Sequence, residues 1–232
     1  MLVECRDYPR TPRGLLQDET LFARLKAIAG IRSTSRRDHL PVYELPRLQS
    51  ARLVLRTLTS ADSQAVYDVI EHSRSHFSTW FTWAHDTNLA AVRQNLEESH
   101  ISMVAGTEWH YGIFERIDCP DGSVSEGRFL GRIGLSEIDQ RGRSAELGYW
   151  IDIDAHGKGL MTEAVKLLLG FVLASGRQMR IDAYTDVDNG ASQRVLLKCG
   201  FRQTGRITRA VKHPLRGWRD QYGFVLLSGN GR

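Results

Sequence analysis

Residues 151–165 (IDIDAHGKGLMTEAV) place Gly157 and Gly159 one residue apart, after a β-like run and directly before a long apolar helix. That arrangement is a ready anion site. The first-turn amides of a helix lack intrahelical partners and lie at the positive end of its dipole. Glycine lets a phosphate approach those amides without meeting a Cβ. A plain strand-to-helix turn can carry the same pattern, since short glycine motifs are common. A dinucleotide-binding fold fits poorly, even though Asp182 lies where a ribose-binding acid could fall: Thr162 replaces the third glycine, Asp154-Ala-His separates strand from loop, and little chain follows Asp186. A Walker A loop is excluded because no Gly-Lys-Ser/Thr follows.

The elements around this loop read as a mixed α/β sheet. Alternation in residues 52–58 (RLVLRTL) predicts a strand, and Thr59-Ser-Ala-Asp62 a capping box that opens a helix. A second helix is expected over residues 89–103 and a strand over 109–116. Residues 118–128, with Pro120, Gly122 and Gly127, read as a hairpin loop, and strands follow at 129–138 and 145–153, joined by a turn at 139–143. The apolar run 160–175 predicts a deeply packed helix stopped by Gly176. A strand at 179–185, a helix capped by Asn189 and ended by Gly200, and strands at 201–208 and 221–227 complete the order.

The 232-residue chain, 41% hydrophobic and 25% charged, is long enough to bury a full core. Its net charge of +4 is uneven: residues 1–43 hold eight basic and five acidic residues, leaving 23 and 22 for the rest. A nearly neutral body offers no stripe for a phosphate backbone, so nucleic-acid binding is not expected. Residues 1–43, with a helix-like piece at 15–29, read as an extension to a main domain spanning 44–232. No apolar run approaches the length of a membrane span and no signal-peptide core opens the chain, so a cytoplasmic protein is expected. Cys5, Cys119 and Cys199 are far apart and lack a C-x-x-C pair, which predicts free thiols rather than a disulfide or zinc site.

Four spaced motifs together are more specific than the glycines alone. Glu146–Ile151 (ELGYWI), residues 156–164 (HGKGLMTEA), 189–192 (NGAS) and 198–201 (KCGF) resemble the GNAT superfamily of acyl-CoA-dependent N-acetyltransferases. The likeness is greatest to the ribosomal-protein, or Rim-type, branch and runs from about residue 49 to 228. It implies the GNAT fold: a mixed, mostly antiparallel sheet of about seven strands flanked by about four helices. It also implies acetyl-CoA as co-substrate, without a metal.

Residue by residue, the resemblance puts the pyrophosphate of coenzyme A on the backbone of Gly157, Lys158, Gly159, Leu160 and Met161. The pantetheine arm would lie along Trp150 and Ile151, and Asn189 would touch it while also capping its helix. The family's usual Gln or Arg three residues before the first glycine is Asp154 here, which is expected to face solvent. Where many relatives carry a proton-donating tyrosine, this chain has Leu196. Ser192 on the same helix is then the candidate partner of the sulfur, although it is equally placed to be a first-turn helix residue. For the base that takes the amine's proton, Glu137 is the first choice and Glu146 the second. Trp80, Phe81 and Trp83 follow the first helix, where relatives build the acceptor slot, though aromatic clusters also make cores. The preferred acceptor is a protein N-terminal α-amine. Small-molecule amines and a non-catalytic CoA-binding sensor are the alternatives, and relatives often pair as homodimers.

Overall fold

In the structure, a computed structural model, residues 45–139, 141, 143–175 and 180–228 are described. The expected 1–43 extension, the stop at Gly176 and part of the 139–143 turn lie outside them.

Eight strands form one sheet, with the order β1-β2-β3-β4-β5-β6-β8-β7. They are β1 (Leu48–Gln49), β2 (Leu53–Arg56), β3 (Trp109–Asp118), β4 (Val124–Asp139), β5 (Ser144–Ile151), β6 (Arg180–Asp186), β7 (Arg202–His213) and β8 (Gly217–Leu227). Every pairing is antiparallel except β5 with β6. The α-helices are α1 (Ser63–His72), α2 (Arg74–Phe77), α3 (Leu89–Ala105), α4 (Leu160–Ala174) and α5 (Gly190–Lys198). Among the described residues no helix is long and apolar enough to cross a membrane.

Local signals set most boundaries. The Thr59 N–H donates to Asp62 Oδ2 at 2.8 Å, as a capping box requires, before α1 begins. Asn88 accepts the Ala91 N–H to start α3, and Gly106, at φ 71°, ends it in the left-handed region. Asn189 accepts the Ser192 N–H at 3.2 Å and so caps α5 as expected.

Strand alternation divides the core between two faces. On one, Leu147, Tyr149 and Ile151 of β5 pack with Met161, Val165 and Leu168 of α4. On the other, Trp150 packs with Val66 and Ile70 of α1 and with Phe77, Phe81 and Trp83.

Three expectations are corrected. The sheet has eight strands rather than about seven, because Leu48–Gln49 pairs with β2. The loop expected over residues 118–128 is a tight turn, closed by Cys119 N–H to Ser123 O at 2.9 Å, and pairing resumes at Val124. The last hairpin is much longer than residues 201–208 and 221–227, since β7 and β8 stay paired out to His213 and Gly217.

Candidate active site

Parallel pairing of β5 with β6 covers only Ser144–Glu146 and Arg180–Asp182. Beyond Glu146 and Asp182 the strands part: β5 follows β4 to Ile151, whereas β6 follows β8 to Asp186. The Asp152 N–H donates to Leu130 O at 2.7 Å. Alternation therefore turns the amides of Leu147, Tyr149 and Ile151 away from β4, toward the wedge. An extended polar chain can add there as a further strand.

The glycine loop closes the wide end of this wedge. A short 3-10 turn (Ile153–Ala155) follows β5, and Gly159 is the N-cap of α4. Gly157 and Gly159 have φ of 73° and 75°, and a Cβ on either would meet no atom nearer than Arg52 Nη2 at 3.8 Å. Conformation rather than crowding thus requires glycine, and it leaves the loop's outer side open. The first helical bond is Glu163 N–H to Gly159 O, so the amides of Leu160, Met161 and Thr162 precede the intrahelical ladder. Lys158 is exposed, while Met161 is buried as a core residue.

Arg52 and Glu163 brace the loop. Arg52 donates to Lys158 O at 3.0 Å and to Glu163 Oε2 at 2.7 Å, and Ser50 Oγ donates to Glu163 Oε1 at 2.7 Å. Asp154 faces solvent, as expected, and pairs with His72 at 3.0 Å. The His156 ring donates to Ile151 O at 3.1 Å and meets the ring of His76 edge-on at 4.8 Å. Burial, with His156 adjacent, pushes His76 down to about 4.

On the β6 side of the wedge, Asn189 and Ser192 are both buried in the first turn of α5. Tyr149 reaches over from β5, its hydroxyl donating to Ser192 O at 3.3 Å. Leu196 is fully buried in the core.

The two candidate carboxylates are separated. Glu146 is 7% exposed, stands where β5 and β6 part, and by alternation shares the face of Trp150. Directly across the ladder is Ser136, buried with no hydrogen-bond partner for its Oγ among the described residues. Such an orphaned hydroxyl is a seat for an ordered water. Glu137 is exposed, at φ 49° in the β4 bulge, level with the joined stretch of β5 and β6. The wedge brings Glu146, Ser192, Asn189 and the glycine loop together, and Glu137 stands exposed in the neighbouring β4 bulge.

On the Trp150 face, a narrow pocket encloses about 20 Å³ of free space, lined by Trp80, Phe81, Thr185, Asn189, His213 and Gln221. The Asp186–Arg219 pair forms its rim, with Arg219 Nε and Nη2 each 2.9 Å from Asp186. Trp83 is not in its wall. It is buried, stacked on Phe81 at 4.9 Å and packed against Trp150 at 6.4 Å.

The sequence matches the family model for an acetyltransferase (GNAT) domain over residues 52–202. The chain belongs to the GNAT acetyltransferase family. Among GNAT relatives, it is 27% identical to the probable N-acetyltransferase YjcK of Bacillus subtilis, over 78% of this chain and 97% of that protein. It is 32% identical to the ribosomal-protein-serine acetyltransferase of Escherichia coli, over 37% of this chain and 48% of that one. The fold matches that of RimL, a ribosomal L7/L12 alpha-N-protein acetyltransferase solved with coenzyme A: TM-score 0.71, 19% identity, 78% and 98% of the chains covered.

Within the GNAT domain, sequence reading did not single out Arg52, Tyr149, His213 or Gln221 as site residues. Arg52 and Tyr149 carry one signal each, a charge ending an apolar strand and a hydroxyl inside the ELGYWI run. Gln221 lies in residues 219–222 (RDQY), which resemble family positions without a role attached, and His213 carries no signal, since only the long β7–β8 pairing places it against Trp80 and Phe81.

Proposed function

We propose that the protein transfers an acetyl group from acetyl-CoA to a protein N-terminal α-amine, of the ribosomal-protein type, by direct attack in a ternary complex. The supporting observation is the wedge itself: strand edges that part at Glu146 and Asp182, with a glycine-capped helix at the open end. The pyrophosphate fits the amides of Gly157, Lys158, Gly159, Leu160 and Met161. The pantetheine arm fits the β5 edge at Trp150 and Ile151, with Asn189 facing it from α5.

The acceptor comes from the Trp150 face, past Trp80 and Phe81, while Trp83 backs the wall. Glu146 takes the amine's proton through a water held by Ser136. The amine nitrogen bonds to the acetyl carbonyl carbon, and the carbon–sulfur bond breaks. Ser192 hydrogen-bonds the sulfur as it leaves carrying the electron pair. Glu137 is a poorer base by position. The unit doing this is residues 44–232, with 1–43 an appendage, and we place the activity in the cytoplasm.

The test offers acetyl-CoA with ribosomal proteins, free N-terminal peptides or small amines, following thiol release and acceptor mass. Acetylated protein N-termini are expected. Modification of small amines alone would overturn the acceptor assignment, and tight CoA binding without turnover would make the protein a sensor.

A further inference from the structure

Gln221 is 4% exposed, on β8 between Asp186 of β6 and Ile207 of β7. Its side chain lines the pocket with Trp80 and Phe81, and its Oε1 has no hydrogen-bond partner among the described residues. A buried amide oxygen left unmatched destabilises the fold unless something else completes it. Of its neighbours, Asp186 holds Arg219 with both oxygens, Asn189 Oδ1 accepts the Ser192 N–H, and His213 Nδ1 accepts the Leu215 N–H at 3.2 Å. That leaves the buried His213 Nε2–H, also without a partner among the described residues, as a second donor beside Gln221.

The charges at this pocket also cancel. Arg219 pairs with Asp186 and Asp188, and Arg216 reaches Asp188 at 3.4 Å while lying over Trp80 at 5.5 Å. A free amino acid would need a cation for its carboxylate, and a polyamine would need an anion for its distal ammonium. The pocket offers neither in excess. It offers an unmatched amide beside the Trp80 and Phe81 rings, and the complement of an amide is another amide.

We infer that Gln221 reads the peptide character of the acceptor. Its Oε1 accepts the N–H of the acceptor's first peptide bond, and its Nε2 donates to a peptide carbonyl. This rests on the acetyltransferase reading above and narrows its acceptor to a polypeptide N-terminus. Recognition by hydrogen bonding in a water-poor pocket discriminates strongly, because a substrate lacking the group leaves the protein's own amide unpaired.

Three acceptors test it with the full chain and acetyl-CoA: a tripeptide amide, the same tripeptide with its first peptide bond replaced by an ester, and a diamine. Wild-type kcat/KM should favour the amide over the ester by about ten- to a hundredfold. Gln221→Leu should erase that preference by lowering the amide rate, leaving the acetyl-CoA dissociation constant and any rate on the diamine unchanged. Gln221→Met, of matching length, gives the same readout if leucine prevents folding. An intact amide-to-ester ratio in the variant, an equal loss on every acceptor, or a wild-type preference for the diamine overturns the inference. Absence of acetyl transfer to any amine by the wild-type protein overturns the broader reading as well.

Discussion

The Tyr149 hydroxyl donates to the Ser192 carbonyl at 3.3 Å, joining β5 to the first turn of α5 over the gap the strands leave. Both residues are buried, and burial pushes the Tyr149 phenol up, so it stays a protonated donor. The wedge is thereby held at a fixed width at the residue proposed to meet the thioester sulfur.

Ser192→Ala should lower kcat by about ten- to a hundredfold while changing acetyl-CoA affinity little, because a hydroxyl aimed at sulfur strengthens only as charge develops there. Tyr149→Phe keeps the packing and should cost less, about three- to tenfold, if it acts by holding Ser192. In the double variant the Tyr149 effect should vanish, since it has no hydroxyl left to position. Steady-state kinetics with a measured acetyl-CoA dissociation constant decide it. Additive losses would make Tyr149 independent of Ser192.

Gly159→Val should abolish the thermal stabilisation that acetyl-CoA gives the native protein. At φ 75° a β-branched residue is strained by roughly 1–2 kcal/mol, and its side chain would stand over the first-turn amides. Melting curves with and without acetyl-CoA check this. A full ligand-induced shift in the variant would remove the loop from the cofactor site.

The glycine loop, the Asn189 cap and the order of elements were legible because each is a local signal: a spacing, a cap or an apolar period. The β7–β8 hairpin was under-read because residues 209–220 (RAVKHPLRGWRD), with Pro214 and several charges, have a loop composition. Their strand state comes from cross-strand pairing, which no local window contains. The same reason hid the pocket around Gln221 and the Arg52–Glu163 brace: Glu163 and residues 219–222 resemble family positions, but their partners lie far away in the chain. Which of Glu137 and Glu146 is buried was likewise not legible, since position along a strand does not tell where two strands part.

Acid should weaken the fold in two steps, each with a definite sign. His76 is held near 4 by burial, so the unfolded chain takes up protons first as pH falls below about 6.5, and stability drops from there. Partial burial pushes the Glu163 carboxyl up, but hydrogen bonds from Ser50 and Arg52 outweigh it and hold it below the ordinary value. Its contribution is complete above the unfolded carboxylate range and is lost as pH falls through its own lower value. The melting midpoint should therefore rise from pH 5 to 7 and then flatten. Burial also holds His110, His156 and His213 below the ordinary value, so His76→Gln should remove part of the slope between pH 5 and 6.5, and an unchanged slope would mean that those groups carry it.

Glu146→Gln should lower kcat by at least tenfold and Glu137→Gln by less than threefold, reversing the ranking the sequence suggested. Glu146 is buried where β5 and β6 part, faces the Trp150 side and stands across from the orphaned Ser136 hydroxyl. A carboxylate there is placed to act through one water on an amine that enters past Phe81, as proposed above, whereas Glu137 is exposed in the β4 bulge. Losing a base matters least when the amine is already unprotonated, so the Glu146→Gln rate should recover partly at high pH with peptides of ordinary N-terminal pKa. The pH profile of kcat/KM separates this from structural damage, which would depress the rate equally at every pH. A Glu137→Gln variant with the larger loss and the same recovery would return the base to the β4 bulge.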